Sequence, residues 1–395
     1  MKYALEGIRV LDLTRILSGP LATMILADLG ADVIKVEDTR SGDDTRQWGP
    51  PFHGEDAAYF MAANRNKRAI GVDLKTEAGR EIVLRLADRA DVVAENFRPG
   101  TAARLGLAYD DLAARNPRLV YASISGYGQT GPDAALPGYD AIAQARSGMM
   151  SITGEADGPP MRPGVASADV GAGMWAAIGI LAALRARSVT GRGQHVDVAL
   201  LDGQISWLTY VASGYFATGA VPARHGSAHP VIVPYQAFAT RDGHIMIAVG
   251  NDRLWRRFAD AINRSDLGTD PRFGTNPGRV RHRALLIAEL SRTLGEQDTA
   301  DWAKRLAGAG IPAAPVATVA EALADPQVLA RDMIAGFDHA SGRLRTVGSP
   351  IKLSETPVTY RLAPPHLGQH THAIMAELGY QDASIGDMRA AGAIR

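Results

Sequence analysis

The first half of the sequence alternates between short apolar runs and longer segments with helical periodicity. Residues 8–13 predict a strand, residues 20–30 predict a helix that ends at a glycine, and residues 32–37 predict a second strand. The alternation continues in predicted helices at 76–89, 109–115, 169–187 and 201–216 and in predicted strands at 91–96, 119–125 and 195–200. Strands that are joined through helices pair in parallel, so the pattern predicts an α/β fold with helices on both faces of a parallel sheet.

The amino-acid composition of the sequence changes after residue 218. Residues 219–234 are rich in proline, histidine and small residues and predict a linker. A predicted hairpin and amphipathic helices then indicate a smaller α+β domain over 235–325. The polar return segment, 326–395, ends in a helix and is expected to pack on the large domain, 1–218, which residues 330–395 complete. Two domains are expected because 395 residues exceed the size at which a single core keeps growing.

Composition narrows the classes of partner. Basic and acidic residues both number 42 and no basic stripe stands out, so no nucleic acid is expected as a partner. The chain has no cysteine, which excludes thiolate catalysis, disulfides and cysteine-bound metals. The longest apolar run, 170–184, is shorter than the ~18 residues of a spanning helix, and the N-terminus has no signal pattern. A cytoplasmic protein without a membrane partner is therefore expected.

Common cofactor and hydrolase motifs are missing. The first predicted βα turn, 14–19, lacks the G-x-G-x-x-G of dinucleotide-binding folds, and no P-loop motif occurs. Residues 123–128 do not supply the G-x-S-x-G of serine hydrolases. His366, His370 and His372 are close in sequence but lack an acidic partner at metal-site spacing, so solvated or capping histidines are expected. The sequence thus predicts no metal and no permanently bound cofactor.

Asp169 lies between a loop of small residues, 164–168, and a long apolar helix. A carboxylate at the start of a helix meets unpaired N–H groups and the positive end of the macrodipole, so it is expected to stay ionised in apolar surroundings. Such a group can cap the helix or act as a nucleophile. Position alone favours capping, because aspartate is a preferred N-cap residue.

Several segments that span nearly the whole chain resemble, in the same order, the class III coenzyme A transferases, the family of formyl-CoA transferase and carnitine CoA-transferases. None is specific alone, but together they identify the superfamily. The segments are 11–14 with 18–20, 30–37, 66–68 with 73–75, 95–100, 138–140, Asp169, 190–194, 310–312 with 315–316, and 367–371.

The resemblance implies a large Rossmann-like domain, a small domain, and two chains interlocked as a homodimer. It also implies that Asp169 is the catalytic nucleophile, forming a mixed anhydride and then an aspartyl-CoA thioester, with the CoA thioester as substrate rather than cofactor. This chemistry needs no base and no metal. It reverses the capping interpretation of Asp169.

The same resemblance assigns contacts with CoA, in which arginine and lysine would hold the phosphates. Many members have arginine directly after the glutamate of the second strand, where this chain has Asp38, so Arg40 is a candidate substitute. The contacts carried over are Arg15, Ile16, Leu17, Ser18, Val72, Lys75, Asn96, Phe97, Arg98, Arg104 and Leu105. From the residues alone, Ile16, Val72 and Leu105 equally fit core packing, and Arg104 a solvated helix face.

Three functions other than CoA transfer remain possible for the chain. The superfamily includes α-methylacyl-CoA racemases, which have a histidine where this chain has Tyr139; tyrosine, with a pKa near ~10, is a poor base at neutral pH. Tyr139 is instead expected to donate a hydrogen bond in the active site, or simply to pack. A non-catalytic CoA-binding protein and a thioesterase-like hydrolase are further alternatives.

The acyl donor and acceptor are predicted from one short segment. Formyl-CoA enzymes have a longer glycine-rich segment where this chain has 224–230, which disfavours oxalate or formate as substrates. The short segment, with His225 and His229, resembles that of members that use succinyl-CoA with dicarboxylic or branched hydroxy acids. We therefore expect succinyl-CoA as donor and a small dicarboxylate such as glutarate, itaconate or a citramalate-like acid as acceptor.

Overall fold

The computed structural model describes residues 2–339 and 341–395. The strands are β1 (Arg9–Asp12), β2 (Asp32–Glu37), β3 (Phe52–His53), β4 (Asp56–Ala57), β5 (Lys67–Gly71), β6 (Val92–Glu95), β7 (Val120–Ser125), β8 (His195–Ala199), β9 (Tyr235–Ala239), β10 (His244–Ala248), β11 (Ala313–Pro315), β12 (Ile334–His339) and β13 (Gly342–Val347).

The α-helices are α1 (Ser18–Asp28), α2 (Ala58–Ala62), α3 (Glu77–Asp88), α4 (Thr101–Arg104), α5 (Tyr109–Arg115), α6 (Asp140–Arg146), α7 (Ser167–Thr190), α8 (Leu200–Ser206), α9 (Thr209–Thr218), α10 (Asp252–Ala261), α11 (Ser265–Thr269), α12 (Asn276–Arg281), α13 (Arg283–Leu294), α14 (Thr299–Gly308), α15 (Val319–Ala324), α16 (Pro326–Ala330), α17 (Thr371–Glu377) and α18 (Asp382–Ala390). Short 3₁₀ turns occur at Asp44–Gln47 and Met149–Ile152.

A six-stranded parallel sheet forms the centre of the fold, with the strand order β5-β2-β1-β6-β7-β8. This is the doubly wound order, which reverses direction between β1 and β6. Alternate residues on these strands enter opposite cores: Val10 and Val33 pack towards α1 and α7, whereas Leu11 and Ile34 pack towards α3, α5 and α17. The predicted α/β class with helices on both faces of a parallel sheet is confirmed.

Strand β5 was not expected from the sequence pattern, because the pair Lys67-Arg68 interrupts the apolar run of a buried parallel strand. In the fold the Lys67 ammonium lies 3.0 Å from the Asp12 carboxylate, and both side chains are fully buried. Thr23 also donates to Asp12, at 2.7 Å. Because the partner charge is 55 residues away, the pairing that makes this strand buriable is not visible in local sequence.

Three predicted elements differ in their extent. The single helix expected over 201–216 is two helices, α8 and α9, and Thr209 at the break has φ 33°. Helix α7 begins two residues before Asp169, at Ser167. The return segment contains an antiparallel hairpin, β12–β13, in addition to its helices.

The chain divides into two compact units. One unit comprises Met1–Met149, Pro163–Ala217 and Gln327–Arg395, and the other comprises Met150–Arg162 and Thr218–Pro326. The predicted large domain, 1–218, therefore differs from the first unit by residue 218 and by residues 150–162. These residues group with the second unit because Gly226 donates to Gly154, and Arg224 donates to Glu155 and Gly158.

The second unit contains a three-stranded antiparallel sheet of order β11-β10-β9. Its core is built around two fully buried tryptophans, Trp255 and Trp302, with Phe258 and leucines of α13. The whole of the predicted linker, 219–234, lies in this unit, where Val233 is buried in the same core.

Helix α7 is the one described helix that is long and apolar enough to cross a membrane, judged by length and composition alone. It has 24 residues, more than the apolar run from which the sequence argument excluded a spanning helix. Its buried residues pack on the sheet and on α1, where a side chain at Gly173 would come within 2.6 Å of the Ser18 carbonyl oxygen. The absence of a membrane partner stays a prediction.

Candidate active site

The loops that follow β1 and β6 lie at the point where the strand order of the sheet reverses. In doubly wound folds, ligands bind outside the carboxyl ends of the strands at such a point. The β1 loop contains the first βα turn, residues 13–17, and the β6 loop contains residues 96–100. The fold therefore places both loops where a ligand site is expected.

The first βα turn is held by side chains rather than by glycines. Ile16 has φ 70°, a strained conformation for a β-branched residue. Its N–H donates to Asp43 at 3.2 Å, and Lys35 donates to the Thr14 carbonyl at 2.8 Å. Asn96 completes the clamp: its side chain accepts from the Arg15 N–H at 2.8 Å and donates to the Arg15 carbonyl at 2.7 Å.

A buried charge network supports this turn from below. Lys35 lies 2.9 Å from Asp43, and both side chains are fully buried. Glu37 accepts from the Asp43 N–H at 2.9 Å and from the Arg46 guanidinium at 2.7 and 2.8 Å. Burial tends to raise the pKa of Asp43, but Lys35 and the Thr45 hydrogen bonds hold it at about 2. Asp43 is therefore ionised at neutral pH and accepts the hydrogen bond from the Ile16 N–H.

Asp169 lies in the first turn of α7, and its carboxyl group accepts a hydrogen bond from the Ser18 side chain at the start of α1. Burial raises the pKa of Asp169 to about 7, the negative charge of Asp140 adds to that shift, and the Ser18 hydrogen bond opposes it. The expectation that the helix N-terminus keeps Asp169 fully ionised is therefore wrong for the unliganded protein.

Asp140 explains why the helix N-terminus does not lower this pKa. Its Oδ1 accepts from the N–H groups of Ala168 at 2.8 Å and Asp169 at 3.3 Å, so it occupies the anion position at the start of α7. Its Oδ2 accepts from Gln144 at 2.7 Å. Asp140 thus caps α7 from a neighbouring helix, a role that the motif at 138–140 does not indicate.

Two neighbouring clefts contain most of the predicted site residues. The Asp169 cleft encloses about 250 Å³ and the Lys75 cleft about 260 Å³, and Phe97 lines both. The Asp169 cleft is lined by Ile16, Ser18, Asn96, Phe97, Arg98, Pro99, Ile124, Ser125, Gly126, Leu136, Pro137, Gly138, Tyr139, Asp169 and Leu200. The Lys75 cleft is lined by Leu13, Arg15, Val36, Glu37, Asp38, Val72, Asp73, Leu74, Lys75, Phe97, Thr101 and Leu105.

Three predicted contacts line neither cleft. Leu17 lies in the turn, where its carbonyl accepts from Leu21. Arg104 donates to Thr101 at 2.9 Å. Arg40 lines a separate cavity next to the Lys75 cleft. Asn96 does line the Asp169 cleft, but its amide is engaged with the Arg15 backbone, so it acts on the turn.

Tyr139 is 61% exposed and lines the Asp169 cleft. Its position follows from a close approach of two glycines, because a side chain on Gly138 would come within 2.3 Å of Gly126 Cα. This contact holds the loop before α6 against the end of β7.

Two groups near the site have no recognisable signal in the sequence. Tyr59 lies close to the nucleophile candidate: burial raises the pKa of its phenol, and the charges of Asp169 and Asp140 raise it further. Ser123, only 2% exposed, has its hydroxyl 2.9 Å from His195 Nε2 and also bonds Glu95. No local motif marks either group, because their partners come from other strands and helices.

The three histidines considered for a metal have separate partners. His366 Nδ1 lies 3.4 Å from Asp56, His370 accepts from the Ala69 N–H, and His372 lies 3.1 Å from Asp382. Across residues 2–339 and 341–395, no group of three or more acidic or histidine side chains is arranged to hold a metal ion.

The arrangement therefore offers a partly buried carboxylate, a hydrogen-bond donor to it, and a neighbouring cleft lined by Arg15 and Lys75 that shares Phe97. A carboxylate with a pKa near 7 is ionised enough at neutral pH to attack a carbonyl. Of the described residues that line the Asp169 cleft, none is a histidine, so the His/Asp pair of a racemase is not present in that lining.

Comparison with known proteins places the chain among transferases of CoA. Residues 5–371 match the sequence profile described as CoA-transferase family III. The chain is 41% identical over 392 residues to human succinyl-CoA:glutarate CoA-transferase, covering 99% of this chain and 90% of that protein. It is 45% identical over 389 residues to succinate–glutarate CoA-transferase of Agrobacterium fabrum, covering 95% of this chain and 96% of that protein.

A solved structure shows the same architecture. The crystal structure of a CAIB/BAIF family protein from Brucella suis is 45% identical, with a TM-score of 0.86, over 96% of this chain and 100% of that one. The similarity in fold therefore extends over almost the full length of both chains.

Proposed function

The chain belongs to CoA-transferase family III, and we propose that it moves CoA from succinyl-CoA to a small dicarboxylate with Asp169 as the nucleophile. The observation that carries this proposal is the position of Asp169 in a cleft that shares Phe97 with a second cleft, whose lining includes Arg15 and Lys75. The two relatives named for succinyl and glutaryl transfer support the choice of donor and acceptor.

The first half of the reaction transfers CoA from the donor to Asp169. The Asp169 carboxylate attacks the thioester carbonyl, a C–O bond forms, the C–S bond breaks, and CoA leaves as the thiolate. The resulting mixed anhydride is then attacked by the thiolate at the Asp169 carbonyl. This step releases the donor acid as its carboxylate and leaves an aspartyl-CoA thioester.

The second half repeats these steps in reverse. The acceptor carboxylate attacks the aspartyl-CoA thioester and expels the thiolate, which gives a second mixed anhydride. The thiolate then attacks the acceptor carbonyl and frees the Asp169 carboxylate. No net proton is exchanged, so no separate acid or base is required.

The cleft residues have distinct tasks in this scheme. Ser18 donates to the Asp169 carboxyl and orients it, while the clamp on Arg15 and Ile16 shapes the wall along which the pantetheine arm would lie. Arg15 and Lys75 line the Lys75 cleft, where CoA phosphates would meet them. Arg98 is the cation in the described lining of the Asp169 cleft and would favour an acid with a second carboxylate.

We also propose that two chains interlock as a homodimer. Large apolar side chains are exposed along α7 and α9, including Met174, Trp175 and Ile178 on α7 and Phe216, which is 81% exposed, on α9. Exposed large apolar side chains that cluster on one helix, as Met174, Trp175 and Ile178 do on α7, are typical of an interface. A cytoplasmic location stays a prediction from the sequence.

The substrate class is tested by steady-state assays with succinyl-CoA and a panel of acceptor acids. We expect turnover with glutarate and with other small dicarboxylates, and little with monocarboxylates of equal length, because only the former present a second charge to Arg98. Arg98→Gln should lower the ratio of turnover with dicarboxylates to turnover with monocarboxylates. Turnover restricted to monocarboxylic acids would refute the substrate assignment and leave the transferase mechanism untouched.

A further inference from the structure

A third cavity continues the line of the two clefts. It shares Asp73 with the Lys75 cleft, which in turn shares Phe97 with the Asp169 cleft. We call it the arginine cavity, because Arg40, Arg389 and Arg395 line it together with Asp73 and Thr76. The three cavities therefore form a series that begins at the nucleophile and ends at three guanidinium groups.

The last residues of the chain are fixed beside the sheet by backbone pairing. Val72, directly after β5, forms an antiparallel bridge with Ile394. The Asp73 N–H donates to Ala393 at 2.9 Å, and the Arg395 N–H donates to Gly71 at 3.1 Å. This pairing holds Arg395 at the carboxyl end of β5, opposite the turn that contains Arg40.

The cavity has an excess of positive charge. Asp73 is the acidic side chain in its lining, and the Asp73 carboxylate already accepts from the Lys75 N–H at 2.9 Å. Within the described residues, the guanidinium groups of Arg40 and Arg389 make no ion pair, and Arg395 donates only to the Thr39 carbonyl, at 3.4 Å. The turn after β2 and the C-terminal segment thus bring three cations and one acidic side chain to the lining of one cavity, an excess of positive charge that suits phosphate.

We propose that Arg40, Arg389 and Arg395 bind the 3′-phosphate of the CoA nucleotide and make the enzyme select CoA over dephospho-CoA. The inference rests on the proposed function, because it uses the placement of the thioester at Asp169. The order of groups along CoA, from thiol through pantetheine and pyrophosphate to the phosphorylated ribose, matches the order of the three cavities. The site also supplies the positive charge that Asp38 does not.

The experiment compares succinyl-CoA with succinyl-dephospho-CoA as donors for the wild-type protein and for Arg389→Ala, Arg395→Ala and the double variant. Each single variant should raise KM for succinyl-CoA about tenfold, the effect of losing one charge-assisted hydrogen bond. KM for succinyl-dephospho-CoA should stay unchanged, and kcat should stay near the wild-type value with both donors. Unchanged kcat also shows that the variants fold.

Arg192→Ala is the matched control. Arg192 is an exposed arginine that precedes the amino end of β8, at the opposite edge of the sheet from the three cavities. This variant should leave both KM values unchanged. Equal increases in KM for both donors in the Arg389 and Arg395 variants, or no increase with either, would overturn the proposal.

Binding of nucleotides separates this proposal from the transferase activity. Calorimetry with adenosine 3′,5′-bisphosphate and with adenosine 5′-monophosphate should give tighter binding of the bisphosphate, and the double variant should lose that difference. Inorganic phosphate binding as tightly as the bisphosphate would identify a site for free phosphate and overturn the assignment to CoA. Lack of transfer from any donor, with the nucleotide preference intact, would refute the proposed function alone.

Discussion

Two carboxylates, Asp140 and Asp169, lie at the amino-terminal end of helix α7. Only Asp140 accepts hydrogen bonds from the free backbone N–H groups of that helix. Asp140 accepts from the backbone of Ala168 and Asp169, so it is the better stabilised anion. Asp169 is left with the Ser18 hydrogen bond in a partly buried cleft, which is why its pKa is raised to about 7. A carboxylate stabilised less by the protein is a stronger nucleophile when it is ionised.

At the level of single residues, Asp140→Asn should shift the pH dependence of activity. Because Asp169 must be ionised to attack, kcat/KM should fall as pH drops through about 7 in the wild type. Asparagine keeps an oxygen for the two N–H groups but removes the charge, so the acid limb should move to lower pH. The Gln144 amide can rotate to accept from the new NH₂ group, since its Oε1 has no partner among the described residues.

The control for that shift is Asp140→Ala. It removes the cap as well as the charge and should cost about 1 kcal/mol of stability in addition. The measurement is kcat/KM of the wild type, Asp140→Asn and Asp140→Ala at pH values between about 5 and about 9. An acid limb at the same pH in wild type and Asp140→Asn would mean that Asp140 does not set the pKa of the nucleophile.

Asp169→Asn should stabilise the protein while abolishing transfer. The folded state holds the Asp169 proton more tightly than the unfolded chain, so the free energy of unfolding of the wild type falls as pH rises from about 4 to about 7. Removing this buried charge should add about 2 kcal/mol to the free energy of unfolding at pH 8, after allowance for partial exposure. The gain should shrink towards pH 4.

Denaturant titrations of both proteins at pH 8 and pH 4 measure this difference. An Asp169→Asn variant less stable than the wild type at pH 8 would mean that the carboxylate is a stabilising cap. Position in the sequence alone favours that interpretation, and only the resemblance to a family reverses it. The capping role belongs to Asp140, 29 positions away, which local sequence could not indicate.

At the scale of elements, the contact between α1 and α7 sets the geometry of the site. Ser18 begins α1, Asp169 lies in the first turn of α7, and Gly173 lets the two helices approach closely. The sequence predicted both helices within a few residues of their observed bounds. It did not predict that their ends meet, because that distance depends on how both helices pack on one face of the sheet.

Gly173→Ala should separate these helices. The new methyl group would lie 2.6 Å from the Ser18 carbonyl oxygen, a backbone atom, so stability should fall by about 1–3 kcal/mol. Activity should fall more than stability accounts for, because Ser18 then moves away from Asp169. Thermal unfolding and kcat at a temperature where both proteins are folded measure the two effects.

Gly386→Ala is the control, because a methyl group at this position in α18 meets nothing within 4 Å. It should raise stability by about 0.5–1 kcal/mol through helix propensity alone and leave kcat unchanged. Equal effects of the two substitutions on stability would show that the close contact at Gly173 does not constrain α1.

The strands were predicted unevenly for a physical reason. In strands β1, β2, β6 and β7 at least half of the residues are apolar, and most of these are valine or isoleucine, as is typical of buried parallel strands. Strand β5 contains a buried lysine that needs Asp12, and the clamp on the first βα turn needs Asn96 and Asp43. Such long-range polar partners explain both the missed strand and the missed roles around the turn.

At the scale of the whole molecule, the family predicted from motif order is confirmed, and with it the enzyme class. The interlocked homodimer stays a prediction. It requires that the exposed apolar side chains of α7 and α9 be covered by a second chain.

Light scattering coupled to size-exclusion chromatography should give twice the chain mass. Trp175→Glu with Phe216→Glu should lower that mass or make the chain aggregate, because both residues lie on the proposed interface. A wild-type protein that elutes as a single chain at micromolar concentration would refute the dimer.

The central claim, that Asp169 forms a covalent bond in the reaction, is tested most directly by trapping. The protein is incubated with succinyl-CoA, reduced with borohydride, digested, and analysed by mass spectrometry with Asp169→Asn in parallel. An aspartyl-CoA thioester predicts homoserine at position 169 in the wild type and no change in the variant. Full CoA transfer with an unmodified Asp169, or with trapping at another residue, would contradict the account.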